Sequence, residues 1–144
     1  MARAIKRFEG QVQLVLYPFV LNDTSQTATE AALCAGEQGQ FWPFHDMLYA
    51  RQAQWRTLSN PLSRLLEFAT SAGLKVNLDD LQQCVKSGRM RGIIAEDKQL
   101  GRSLQVRSTP TVFVNNRRIV GAQSAGEYIR MIRQELTRAQ SQKP

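Results

Sequence analysis

Within these 144 residues there are two cysteines, Cys34 and Cys84, and no Cys-x-x-Cys. They lie 50 positions apart, so neither the paired thiols of a redox motif nor the ligand spacing of a zinc site is present, and no metal is expected. Histidine is nearly absent too. His45, between Phe44 and Asp46, reads as a packing or surface residue, since general-base work needs a positioned partner and a reacting group. There is no phosphate loop, dinucleotide fingerprint or nucleophile elbow, so no cofactor is expected. No apolar run approaches the ~20 residues of a membrane-spanning helix. The opening Met1-Ala2-Arg3-Ala4-Ile5-Lys6-Arg7 is too poor in apolar residues for a secretory signal. Internal repeats are missing, as is any linker that would divide the chain, so residues 1–144 read as one domain large enough for a core.

What remains is an ordinary globular composition, 42% hydrophobic, with a basic balance of +7 from 19 Lys and Arg against 12 Asp and Glu. The pairs Arg89/Arg91 and Arg117/Arg118 read as solvated faces. Without aromatic–basic interleaving or a nucleic-acid motif, no nucleic-acid partner is expected. Residues 2–9 place Ala4, Ile5 and Phe8 opposite Arg3, Lys6 and Arg7, an amphipathic helix closed by Gly10. Residues 11–17 run polar, then nearly continuously apolar, which predicts a strand buried on both faces and ended by Pro18.

Residues 22–104 read as helices. One is alanine-rich around Thr27 to Ala35. The next carries Phe41, Phe44 and Leu48 on one stripe, with Trp42 taken as core alongside them. Asn60 as N-cap with Pro61 at the first helical position begins a helix that Gly73 closes. Another opens at Asn77 with Asp80 and ends at Ser87-Gly88. The stretch 89–104 is expected to turn Met90, Ile93, Ile94 and Leu100 inward. Next, Val112 and Val114 alternate with Thr111 and Phe113, the period of a strand. Asn115-Asn116 can accept the left-handed angles of a tight hairpin turn, and a second strand runs on to Val120. Ser124-Ala125-Gly126-Glu127 has capping-box spacing. It opens a last helix with Ile129, Ile132 and Leu136 buried, and the tail 140–144 is expected to fray.

The stretch Ser108-Thr109-Pro110-Thr111, feeding a hairpin with a helix behind it, resembles the cis-proline loop of the thioredoxin fold. Other segments resemble the DsbA-like thiol-disulfide oxidoreductase family. The most specific is Ala31-Ala32-Leu33-Cys34-Ala35-Gly36-Glu37-Gln38-Gly39-Gln40-Phe41-Trp42-Pro43-Phe44-His45-Asp46, similar to the junction of that family's first insert helices. Tyr17-Pro18-Phe19-Val20-Leu21, Cys84-Val85-Lys86-Ser87-Gly88, Leu104-Gln105-Val106-Arg107-Ser108 and Gly121-Ala122-Gln123 add to it. The likeness spans about residues 3–136.

That resemblance implies an α/β chain: a thioredoxin-like fold with an inserted all-helical, DsbA-like subdomain at about 22–104, N-terminally truncated. The family begins with a strand and a Cys-Pro-x-Cys at a helix N-terminus. Residues 2–9 look like the rest of that helix, with Met1 about where the second cysteine stands. Disulfide exchange needs a thiolate, which a helix N-terminus stabilises, and a second cysteine to resolve the mixed disulfide. No catalytic residue is therefore expected in this chain. The resemblance also implies a cis peptide at Pro110, with Thr109 offering its backbone to an extended polypeptide, whereas by themselves these residues read only as a stiff approach to a strand. It implies a structural disulfide between Cys34 and Cys84, which by themselves read as buried unpaired thiols. The partner is then a polypeptide substrate or redox partner protein in an extracytoplasmic, periplasmic setting, and open strand edges would admit a second copy. Two functions stay open: an oxidoreductase of this family, or a non-catalytic thioredoxin-fold module that binds a peptide or partner.

Overall fold

The computed structural model describes residues 2–141, so the expectations placed on Met1 and on residues 142–144 lie outside the described residues. Its elements run α1 (Ala2–Arg7), α2 (Asp23–Glu37), α3 (Phe41–Ala50), a 3-10 turn (Gln52–Gln54), α4 (Leu62–Ser71), α5 (Leu78–Ser87), α6 (Arg91–Ser103), β1 (Thr111–Val114), β2 (Arg117–Val120) and α7 (Ala125–Ser141). The chain divides into two compact units, one of Met1–Tyr17 with Arg102–Pro144 and one of Pro18–Gly101.

The Pro18–Gly101 unit is helical throughout. Asn22 starts α2 with a capping box, its Oδ1 accepting the Ser25 amide at 2.9 Å and Ser25 Oγ accepting the Asn22 amide at 3.3 Å, which satisfies two otherwise orphan donors. The buried side of α2 is Ala28, Ala31, Ala32, Cys34 and Ala35. Short side chains let neighbouring helices approach closely. A Cβ added at Gly36 would stand 3.3 Å from that of Phe41, so glycine there permits the α2–α3 corner. Phe44, Leu65 and Leu81, from α3, α4 and α5, are fully buried around it. Glu30 is 2% exposed. It is tolerated because Gln26 Nε2 and Arg91 Nε donate to its carboxylate at 3.0 and 3.2 Å, as a buried charge requires.

Three expectations change in this unit. Trp42 is 41% exposed rather than core, and lies edge-on to Phe41 and His45; at one residue past Phe41 it points off the buried stripe. Ile93 and Leu100 are exposed while Met90 and Ile94 are buried, so the inward face of α6 is narrower than its apolar content implied. Helix α4 begins at Leu62 with Pro61 in the cap position and no side-chain cap bond, one residue later than Asn60-Pro61 predicted. Asn77 does cap α5, accepting the amides of Asp79 and Asp80.

Asp97 on α6 has its carboxyl pKa raised, by burial first and by the neighbouring Glu96 charge second. An acid whose folded-state pKa is raised costs stability when ionised, and that cost disappears below the unfolded-state pKa. Asp97→Asn should therefore raise the melting temperature slightly at neutral pH. In thermal melts across pH the gain should fade as the ordinary carboxylate range is approached.

In the other unit, Ala4 and Phe8 pack with Ile119, Tyr128 and Ile132. Strands β1 and β2 form an antiparallel hairpin, Thr111 opposite Val120 and Val114 opposite Arg117. Period-two alternation puts Val112, Val114 and Ile119 on the buried face and leaves Phe113, Arg118 and Val120 on the exposed one. Ser124 Oγ accepts the Glu127 amide at 3.2 Å; the Glu127 carboxylate turns to Arg130, so only half of the expected capping box forms. Helix α7 continues to Ser141, so 140–141 are helical.

The strand expected at 11–17 is not formed. The segment has no regular structure, with Val15, Leu16 and Tyr17 exposed by 55, 39 and 59%. A strand exists only through its ladder, and among the described residues none pairs with it. The sheet thus has two strands, in a mostly helical chain.

Candidate functional site

The candidate site forms at the base of the hairpin. Thr109–Pro110 is a cis peptide bond. The Gly121 amide donates to the Pro110 carbonyl at 2.8 Å, extending the ladder one step beyond the Thr111–Val120 pair and holding the loop to the exit of β2. Gly121 takes φ +81 there, a conformation that only glycine adopts without strain. On the other flank, Thr111 Oγ1 donates to the Ser108 carbonyl at 2.7 Å. Thr109 sits between these clasps, exposed, with no internal hydrogen bond to its backbone among the described residues. The proline after it biases its own backbone toward extension. An exposed, unspent N–H and C=O pair is what strand addition by a peptide requires.

The hairpin turn uses Asn115 at φ 51; Asn116 is not left-handed, so one of the two asparagines takes the expected angle. Asn115 Nδ2 donates to Glu135 Oε2 at 3.3 Å, tying the turn to α7. Glu135 is itself buried, and the Arg117 and Arg138 guanidinium groups reach its carboxylate at 3.9 and 3.7 Å.

Two features of the loop region were not read from the sequence. Arg118 lies over the Phe113 ring at 5.2 Å and donates to the Leu104 carbonyl, joining the exposed face of the hairpin to Leu104 within the same unit. Its signal was present: a two-residue turn at 115–116 places 113 opposite 118, and a cation over an aromatic face is attractive. Gln105 ends α6 at φ 57, its amide donating to the Arg102 carbonyl at 2.9 Å. Glycine is the usual residue at that position, so no composition cue marked it.

Cys34 and Cys84 are joined by a disulfide between α2 and α5, with Cα atoms 6.0 Å apart. They belong to the helical unit, whereas Thr109 and Pro110 belong to the other. Their exposures are 1 and 3%. Cys34 lies late in α2 and Cys84 late in α5, so neither has a helix N-terminus to stabilise a thiolate. An open polar depression of about 420 Å³ adjoins the bond, lined by Glu37, Asp80, Gln83, Cys84 and Arg89, and Arg89 closes on Glu37 at 2.6 Å. His45 contacts Asp46 at 3.0 Å, and its ring lies tilted against that of Tyr49, with centroids 4.8 Å apart. Among the described residues no group of His, Cys, Asp or Glu is placed to hold a metal, and no helix is long and apolar enough to cross a membrane.

The chain is 39% identical over 94 residues to the Na(+)/H(+) antiporter NhaA 3 of Salinispora tropica, a match covering 65% of this chain and 13% of that protein. Identity is also 39%, over 98 residues, to the Na(+)/H(+) antiporter NhaA 1 of Salinispora arenicola, covering 68% and 14%. The like-named protein of Mycolicibacterium gilvum is 27% identical over 107 residues, covering 73% and 16%. The chain thus spans 16% or less of the length of these curated relatives. A family model described as thioredoxin matches residues 2–134. With that match over nearly its whole length, the chain belongs to the thioredoxin family.

Proposed function

We propose that this chain is the polypeptide-facing part of a DsbA-like thiol-disulfide oxidoreductase working outside the cytoplasm. The helical unit is then its insert, Cys34–Cys84 a structural brace, and Thr109-Pro110 the place where an extended substrate adds its backbone. The observation that carries this reading is the cis-proline loop, clasped at Pro110 and Thr111 with the Thr109 backbone left open. Between residues 1 and 144 no cysteine is free to act as nucleophile.

A second reading has its own support. The relatives are named as antiporters, of which this chain matches a small part. A thioredoxin-fold module could serve such a protein by holding a partner polypeptide at the same loop, with no thiol chemistry. The two readings separate on the coding DNA in frame upstream of the Met1 codon: a strand-like segment with Cys-x-x-Cys favours the first, and an upstream sequence without that cysteine pair favours the second.

Both readings make one shared prediction. The purified 144-residue chain should bind a permanently unfolded, alkylated polypeptide and should show no insulin-reduction turnover. Robust turnover would overturn the assignment of no catalytic thiol, and failure to bind would overturn the assignment of the loop.

A further inference from the structure

The charge of this protein is sharply divided. The unit of Met1–Tyr17 and Arg102–Pro144 carries 11 of the 19 Lys and Arg but 3 of the 12 Asp and Glu, a net of +8; the helical unit carries 8 and 9. The excess therefore belongs to the unit that contains the cis-proline loop. Of those three acids, Glu127 is engaged by Arg130, and Glu135 by Arg117 and Arg138. Arg3, Lys6, Arg7, Arg102, Arg107 and Arg133 are exposed and have no carboxylate partner among the described residues. Arg107 stands two residues before Thr109. Arg118, immobilised by the Leu104 carbonyl and the Phe113 ring, fixes a further cation on the exposed face of the hairpin that the loop feeds.

We propose that the polypeptide received at Thr109 is acidic, with its carboxylates met by Arg107 and the field of this unit. The inference rests on the loop being a peptide site and names the class of peptide. Arginine forks bind carboxylates in pairs of parallel hydrogen bonds. An unopposed positive surface speeds encounter with acidic chains and disfavours basic ones. A flat anionic membrane is the weaker fit: a helix lying in a membrane surface needs an exposed apolar face, and that of α7 is spent on Tyr128 and Ile132, both buried.

The test uses the intact chain and three labelled extended peptides of equal length, acidic, neutral and basic, with binding read by fluorescence anisotropy and by the Thr109 amide resonance. The acidic peptide should bind at least about tenfold more tightly than the basic one at low salt, the gap closing as salt screens it. Arg107→Glu should remove most of that gap and Arg107→Lys keep most of it. Arg56→Glu, at an exposed position of the helical unit, should leave it unchanged. Equal affinity for all three peptides, with Thr109 perturbed by each, overturns the acidic preference and leaves the peptide site standing. No perturbation of Thr109 by any peptide removes the site itself. Tighter binding to phosphatidylglycerol vesicles than to the acidic peptide overturns the choice of partner.

Discussion

Cys34→Ala should lower the melting temperature of the oxidised chain by about 10 °C and leave it close to wild type under reductant. The disulfide closes a separation of 50 residues, and removing such a constraint from the unfolded chain costs about 4 kcal/mol, which for a domain of this size corresponds to a shift of that order. Alanine is the appropriate replacement because the same side of α2 already buries Ala28, Ala31, Ala32 and Ala35. Reductant should convert the wild type to the behaviour of the variant. Equal melting of both proteins in both conditions would remove the brace from the account.

Phe44→Ala should be the most damaging single truncation in the helical unit, costing about 3–5 kcal/mol. Phe44 is completely buried in the cluster formed with Ala31, Ala35, Leu65 and Leu81. The surrounding small side chains of α2 cannot expand to fill the space, so the lost apolar contact and the cavity add. Trp42→Ala, two residues away but 41% exposed, should cost far less despite deleting a larger side chain. Urea titrations of the two variants decide this; comparable losses would mean that α3 buries a different face.

The hairpin was the most legible part of the chain because its signals are local. Alternation set the faces of β1, Asn115 supplied the left-handed turn position, and the turn length fixed Thr111 opposite Val120. Helix caps at Asn77 and Ser124 were legible for the same reason. The larger failures depend on distant residues. Val15, Leu16 and Tyr17 have the composition of a strand, but a strand needs a neighbour, and among the described residues the sheet contains only β1 and β2. Ile93 and Leu100 are apolar and exposed, since helical periodicity does not reveal how wide a face its partners cover. At the candidate site, Thr109 and Pro110 were legible through the resemblance to a family. The lock of Arg118 on Phe113 and Leu104 was not, because Arg117-Arg118 resembles any solvated pair until the register of the strands is drawn.

The central claim is that the open backbone at Thr109 receives an extended polypeptide. Amide resonances recorded through the titration with unfolded polypeptide test it residue by residue. Perturbations should concentrate on 107–109, on 111–112 and on Gly121, whose amide holds the Pro110 carbonyl, while α4 and α5 stay unchanged. Perturbations confined to the helical unit, with 107–109 and 111–112 silent at saturation, would contradict it.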